Sequence, residues 1–210
     1  MEIDIYADPV CPWCFIGKKR LERALTVRTD IKAEIKWRAF QLNPTMPLGG
    51  MPRDEYLITK FGSLKPQIFE TIYKVGIKEG IEFAFDNISC TPNTIDAHRL
   101  IHYATRFGVA NSVVDALFQD YFFNGRDIGD LDVLTSAAIY AGLDRSAAAA
   151  HLAGVDDTSE VKAEDHNARK LGIQGVPCFI VENRYVISGA QEPEAFYPLF
   201  DIVQEMLRKP

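Results

Sequence analysis

The chain has 210 residues, 47% of them hydrophobic, which is enough to bury a substantial core and more than the commonest single-domain size. A formal net charge of -6 and a pI near 5.3 leave no basic stripe that would displace counterions from a nucleic acid or hold an anionic membrane. No apolar run approaches a membrane span, and four cysteines are too few for a disulfide scaffold. The acidic, alternating opening Met1 to Tyr6 lacks the regions of a signal peptide, so a cytoplasmic chain with neither nucleic acid nor membrane as partner is expected.

Ile3 to Tyr6 alternates like a strand. Cys11-Pro12-Trp13-Cys14 follows, and Pro12 suits the first position of a helix because its missing N–H has no partner there anyway. Gly17, Leu21, Ala24 and Leu25 recur at helical spacing and predict a helix from Pro12 to about Val27. Glu34 to Phe40 reads as a second strand, with Ile35, Trp37 and Ala39 on one face. The proline- and glycine-rich stretch from Pro44 to Pro52 then marks a boundary.

From there to about residue 155 the pattern is almost purely helical. Some six helices are predicted, ended by Gly62, Gly80, Gly108, Gly125, Gly142 and Gly154, each expected to supply a left-handed cap. Thr91 with Pro92 predicts the start of one of them, and Ile81 to Phe85 a short extended piece. A helix over Thr158 to Leu171, ended by Gly172, leads to a hairpin of Phe179–Val181 and Tyr185–Ile187 joined through Glu182-Asn183-Arg184. Pro193 opens a last helix carrying Phe196, Leu199, Phe200, Val203 and Leu207 on one face, and Pro198 interrupts only its first turns. The order β-α-β, helices, α-β-β-α predicts an α/β chain: a thioredoxin fold over 1–45 and 156–210 with an all-helical domain, 46–155, inserted between its halves.

Two cysteines separated by two residues form a redox pair, a metal half-site or a coincidence. Zinc would need two further ligands, and the chain has no second CxxC and no Cys/His pair with finger spacing, so no metal is expected. At the start of a helix, unpaired N–H groups and the positive end of the dipole favour a thiolate. Cys11 is therefore expected to be an exposed, attacking sulfur, with Cys14 one turn further in resolving the mixed disulfide formed at Cys11.

These residues, together with Gly175-Val176-Pro177 before the hairpin, resemble the DsbA-like thioredoxin-fold oxidoreductases, in particular their FrnE-like cytoplasmic branch. The likeness extends through Asp8-Pro9-Val10, Trp37-Arg38-Ala39-Phe40-Gln41-Leu42-Asn43-Pro44, and Asn93-Thr94 with Ala97-His98-Arg99-Leu100. Kappa-class glutathione transferases and 2-hydroxychromene-2-carboxylate isomerases belong to the same superfamily. The resemblance implies that Pro177 is a cis proline facing the CxxC. It implies also that Val176 offers its backbone to substrate, that Pro12 and Trp13 border the site, and that Asn93, Thr94 and His98 face it as substrate contacts. It implies a dithiol–disulfide oxidoreductase or isomerase acting on protein or small-molecule disulfides, with no tightly bound cofactor, glutathione as a conceivable co-substrate, and a homodimer as the common assembly of relatives.

The chain departs from that pattern in two places. Ile5 stands where thioredoxin-like enzymes often hold a buried acid, so Asp8 or water must deprotonate Cys14, or resolution is slow. No histidine lies between the cysteines, so a potential less oxidising than that of DsbA, suited to reduction or isomerisation, is expected. Two rival functions remain at this stage. A glutathione-dependent isomerase or transferase would use Ser188, Gly189 and Gln191 at the last helix, and a non-catalytic module would bind a peptide or metal through the CxxC.

The other candidates weigh towards structure. Cys178, next to Pro177, reads first as a small core residue and second as a third thiol at the site; Cys90 reads as inert. His98 and His102 have the i, i+4 spacing of a zincin pair, but Arg99 occupies the place of the glutamate. His151 and His166 read as surface residues, and Tyr121, Phe122 and Phe123 as packing between helices.

Overall fold

The structure, a computed structural model, describes residues 1–64 and 67–208. Its elements run β1 (Glu2–Ala7), α1 (Pro12–Val27), β2 (Glu34–Ala39), β3 (Met51–Pro52), α2 (Arg53–Phe61), α3 (Gln67–Lys78), β4 (Cys90–Thr91), α4 (Ile95–Thr105), α5 (Ala110–Phe122), α6 (Leu131–Tyr140), α7 (Arg145–Ala153), α8 (Thr158–Lys170), β5 (Cys178–Val181), β6 (Tyr185–Ser188) and α9 (Tyr197–Arg208). The main sheet has the order β2-β1-β5-β6, with β1 and β2 parallel and the other pairs antiparallel. Strands from both ends of the sequence thus share one sheet, which is the thioredoxin arrangement, and the helices from α2 to α7 lie between β2 and α8 in the chain.

The period-2 alternation of the strands sorts their side chains. Ile3 and Ile5 on β1 and Phe179 and Val181 on β5 are fully buried with α1 residues Ile16, Leu21 and Ala24 and α9 residues Phe200 and Val203. On the opposite face, Tyr6, Cys178 and Ile180 meet Phe40, Ala168 and Ile173 beneath α8. Arg38 on β2 pairs with Asp4 at 2.5 Å and Glu164 at 3.0 Å, so that face is fastened to α8 partly by charge. Phe15 carries α1 into the helical half, stacking on Phe118 at 4.8 Å and meeting Phe83 and Phe123 edge-on. Tyr121 and Phe122 are buried in the same aromatic group, as expected of core packing.

Several local expectations change. Thr91 does not start a helix: it pairs with Met51 in the short β3–β4 ladder, and α4 begins at Ile95, whose N–H bonds to the Asn93 side chain at 3.0 Å. The ladder also means that the middle of the chain is not purely helical. Ile81 to Phe85 forms no strand; a 3-10 turn covers Phe85–Asn87. Gly62, Gly80, Gly108, Gly125 and Gly142 have positive φ, but Gly154 at φ -85 does not. There the Arg99 guanidinium bonds to the carbonyls of His151, Leu152 and Gly154, replacing a left-handed cap as the partner of the α7 end. Pro193 opens a 3-10 turn rather than α9 itself. The side chain of Leu207 lies outside the described residues, whereas Phe196, Phe200 and Val203 are fully buried and Leu199 nearly so. His151 is buried, not at the surface, because its ring stacks on Tyr103 at 4.5 Å and its Nε2 lies 3.3 Å from Asp157; His166 is exposed. No helix among the described residues is long and apolar enough to cross a membrane.

Candidate active site

The CxxC lies where β1 hands over to α1. Asp8 follows the last residue of β1, and the Cys11 N–H bonds to the Asp8 carbonyl at 2.9 Å, closing a tight turn. Cys11 then occupies the N-cap of α1 in extended conformation, Pro12 is at the first helical position, and the Cys14 and Phe15 N–H groups bond to the Cys11 carbonyl. Both cysteines are free.

Cys11 is less accessible than its helix-terminal position suggests, with 4% of its surface exposed. The reason lies across the chain: the Val176 carbonyl accepts a hydrogen bond from Cys11 Sγ at 3.6 Å, and the buried Pro177, whose peptide bond with Val176 is cis, follows it. Pro12, Trp13 and Val176 are each half-buried, and Gln174 and Gly175 are exposed beside them. These residues form the visible rim of the site. Gly17, one turn after Cys14, explains how Pro177 comes so close. A Cβ on Gly17 would stand 2.7 Å from Pro177 Cγ, so only glycine leaves room for the ring against α1. An isolated glycine inside a helical pattern was the available sequence signal for that contact.

Cys14 is buried more deeply, and burial, followed by the hydrogen bond and charge of Cys11, pushes its thiol well above the ordinary value. A backbone hydrogen bond from Asp8 works in the opposite direction. The Asp8 carboxyl is 1% exposed and accepts from the backbone N–H of Leu42 at 2.7 Å and of Val10 at 3.4 Å, with a further hydrogen bond to the Thr94 side chain. Desolvation nevertheless dominates and raises its pKa to about 7. Asp8 thus meets Cys14 through its backbone, while its carboxylate charge pushes the thiol further up.

The remaining candidates divide between this centre and the frame. Thr94 and His98 on the α4 side reach Asp8; His98 Nε2 is 3.8 Å from Asp8 Oδ1, and burial lowers the imidazole pKa to about 4. Asn93 is buried and engaged with Met46, Ile95 and Gln41, holding the loop after β2 against the start of α4. Cys178 lies under α8 with Phe40, Ala168 and Ile173, while Cys11 and Cys14 belong to the other core cluster. Ser188 and Gln191 are exposed on the far side of β5, where the Gly189 N–H bonds to the Pro177 carbonyl. No group of three or more histidine, cysteine or acidic residues among the described residues is arranged to hold a metal.

The family model described as a DSBA-like thioredoxin domain matches residues 2–199. The chain belongs to the DsbA-like thioredoxin family. It is 30% identical over 199 residues to YwbO of Bacillus subtilis (strain 168), covering 93% of this chain and 94% of that protein. A solved structure of a probable DsbA oxidoreductase, SCO1869 from Streptomyces coelicolor, superposes with a TM-score of 0.85 at 30% identity, over 100% of this chain and 92% of that one. The cytosolic disulfide reductase DsbM from Pseudomonas aeruginosa, solved with GSH, shares the fold at a TM-score of 0.70 and 16% identity, over 98% of this chain and 100% of that one.

Proposed function

We propose that the protein is a dithiol–disulfide oxidoreductase or isomerase in which Cys11 attacks and Cys14 resolves. The observation that carries this reading is the pair at the start of α1, with Cys14 buried one helical turn behind Cys11 and the cis Val176-Pro177 segment packed against the Cys11 sulfur. The Cys11 thiolate attacks one sulfur of a substrate disulfide; the S–S bond breaks, a Cys11 mixed disulfide forms, and the other substrate sulfur leaves as a thiol after taking a proton from solvent. Asp8 then takes the Cys14 proton, and the Cys14 thiolate attacks Cys11 Sγ. The Cys11–Cys14 disulfide forms, and the second substrate sulfur leaves as a thiolate. The substrate is reduced by two electrons and the CxxC is oxidised by two.

Pro12, Trp13 and Val176 border the attacking sulfur, and the Val176 backbone would pair with an extended peptide or with glutathione. Glutathione is the small thiol proposed to re-reduce the pair; DsbM, a protein of the same fold, was solved with GSH. The cytoplasm is the proposed site of action, where a reducing glutathione pool would keep the dithiol ready.

Equilibration with glutathione buffers followed by thiol alkylation tests the proposal. A two-electron transition of Cys11–Cys14 between about -180 and -270 mV is the expected result, and a midpoint near about -120 mV would overturn the reductive or isomerising direction. In Cys14→Ser the mixed disulfide at Cys11 should accumulate and dithiol turnover should stop. Retained glutathione-linked isomerisation in that variant would replace this proposal with a glutathione-dependent isomerase.

A further inference from the structure

The groups around Asp8 divide into two kinds. The hydrogen bonds from Leu42, Val10 and Thr94 favour the ionised form of its carboxyl: the Leu42 and Val10 N–H groups are donors, and Thr94 contributes a hydroxyl that lowers the pKa. His98, on α4, differs. Its Nε2 is fully shielded from solvent, has no hydrogen-bond partner, and lies 3.8 Å from Asp8 Oδ1. The ring's own hydrogen bond goes to the backbone of Phe40, whose N–H is already committed to the Ala7 carbonyl. The Phe40 carbonyl is therefore the acceptor, the donor is Nδ1–H, and the Nε2 lone pair is left facing Asp8.

We propose that His98 is the positioning residue for the proton that Asp8 takes from Cys14: its Nε2 lone pair accepts a hydrogen bond from the protonated Asp8 carboxyl. This deepens the dithiol reading and rests on it for its catalytic meaning. The proton stays on Asp8 Oδ1 and the imidazole stays neutral, so the step moves one proton from Cys14 to the carboxyl and no further. The 3.8 Å separation closes to hydrogen-bond distance when Asp8 becomes a donor. Burial holds the imidazole neutral at pH 7, which is the state this role requires, even though the Asp165 charge on α8 favours the imidazolium. The other charged or titratable groups acting on the carboxyl are Lys60 on α2, which favours the carboxylate, Cys14 on α1 and Tyr121 on α5. Asp8 and His98 thus divide the work: one holds the proton and the other aims it.

The sign of the effect separates this role from an electrostatic one. An imidazolium beside Asp8 would favour the carboxylate, so its removal would raise the pH midpoint of Asp8. A neutral acceptor favours the protonated acid, so its removal lowers that midpoint. Nitrogen NMR of the imidazoles in the reduced, unmodified protein reads the pair directly. Nδ1 should stay protonated throughout, and the Nε2 resonance should move once, near pH 7, as it begins to accept from Asp8; Asp8→Asn should abolish that movement. An Nε2–H tautomer, an imidazolium forming in this step, or no movement at Nε2 would overturn the proposal.

Resolution of the Cys11 mixed disulfide, followed against pH in His98→Phe, should show its midpoint lowered by about one pH unit, a tenfold change in proton affinity. An unchanged or raised midpoint would overturn it, and the NMR measurement carries the test if that variant does not fold. The two readings fail separately. A coupled Asp8–His98 titration without dithiol turnover removes the oxidoreductase and leaves the pair, whereas turnover with a silent His98 does the reverse.

Discussion

Replacing Asp8 by asparagine should change the shape of the stability–pH profile more than its height. In the unfolded chain the carboxyl titrates near 3.8 and in the folded protein near 7, so between those values the folded state holds the extra proton. Stability contributed by this group is fully present below the unfolded pKa and is lost as pH rises through the folded one. At ~1.4 kcal/mol per pH unit the interval amounts to about 4 kcal/mol. His98 works with the opposite sign: its pKa falls from 6.5 to about 4 on folding, so stability grows with pH across that window by ~3 kcal/mol. The two slopes oppose each other in the unmodified protein and leave its stability nearly level between about pH 4 and 6.5. Asp8→Asn removes one of them. Urea unfolding at a series of pH values from 4 to 8 should therefore show the variant gaining about 4 kcal/mol on the unmodified protein across the series, on top of a constant offset from the altered hydrogen bonds. Parallel profiles would refute the reasoning, because they would mean that Asp8 is as easily ionised inside the fold as outside it.

Gly17→Ala places a methyl group 2.7 Å from Pro177 Cγ and should cost about 1–3 kcal/mol in denaturant unfolding while slowing mixed-disulfide formation at Cys11; an unchanged stability would show that the ring has room to retreat. Arg20→Met removes the 2.8 Å partner of Glu79, whose side chain is 2% exposed, together with bonds to Ala190 and Glu192. It should cost ~3 kcal/mol, measured by urea unfolding, because a buried carboxylate is left with Arg23 alone. Cys178→Ala should cost about 1 kcal/mol through the small cavity left among Phe40, Ala168 and Ile173, with insulin-reduction turnover unchanged; lost turnover would bring Cys178 into the chemistry.

The legible parts of this chain are those whose signal is local. Alternation in Ile3, Ile5 and Ala7 and helical spacing in Leu21 and Ala24 specify β1 and α1 because each element must bury one face, and the same logic locates the hairpin and the six helices between β2 and α8 among the described residues. Pro12 after Cys11 marks the helix start for an equally local reason. The local signal misleads where a distant side chain takes over a local task. Arg99 occupies the carbonyls that would have required a left-handed Gly154, Asn93 supplies the cap that the sequence suggests at Thr91, and Tyr103 draws His151 inward.

At the site, the CxxC, its place on a helix N-terminus and the Val176-Pro177 segment as its partner in the family pattern are legible in the sequence, because these are short motifs with a fixed backbone consequence. The sequence reaches Asp8 only as one of several routes for the Cys14 proton. The rest follows from the packing of distant segments. Val176, 165 residues away, covers Cys11; Gly17 admits the Pro177 ring; and α4 brings His98 to a carboxyl whose own burial raises its pKa to neutrality. Burial and the direction of a lone pair depend on which elements meet, and those meetings are settled by packing between segments far apart in the chain.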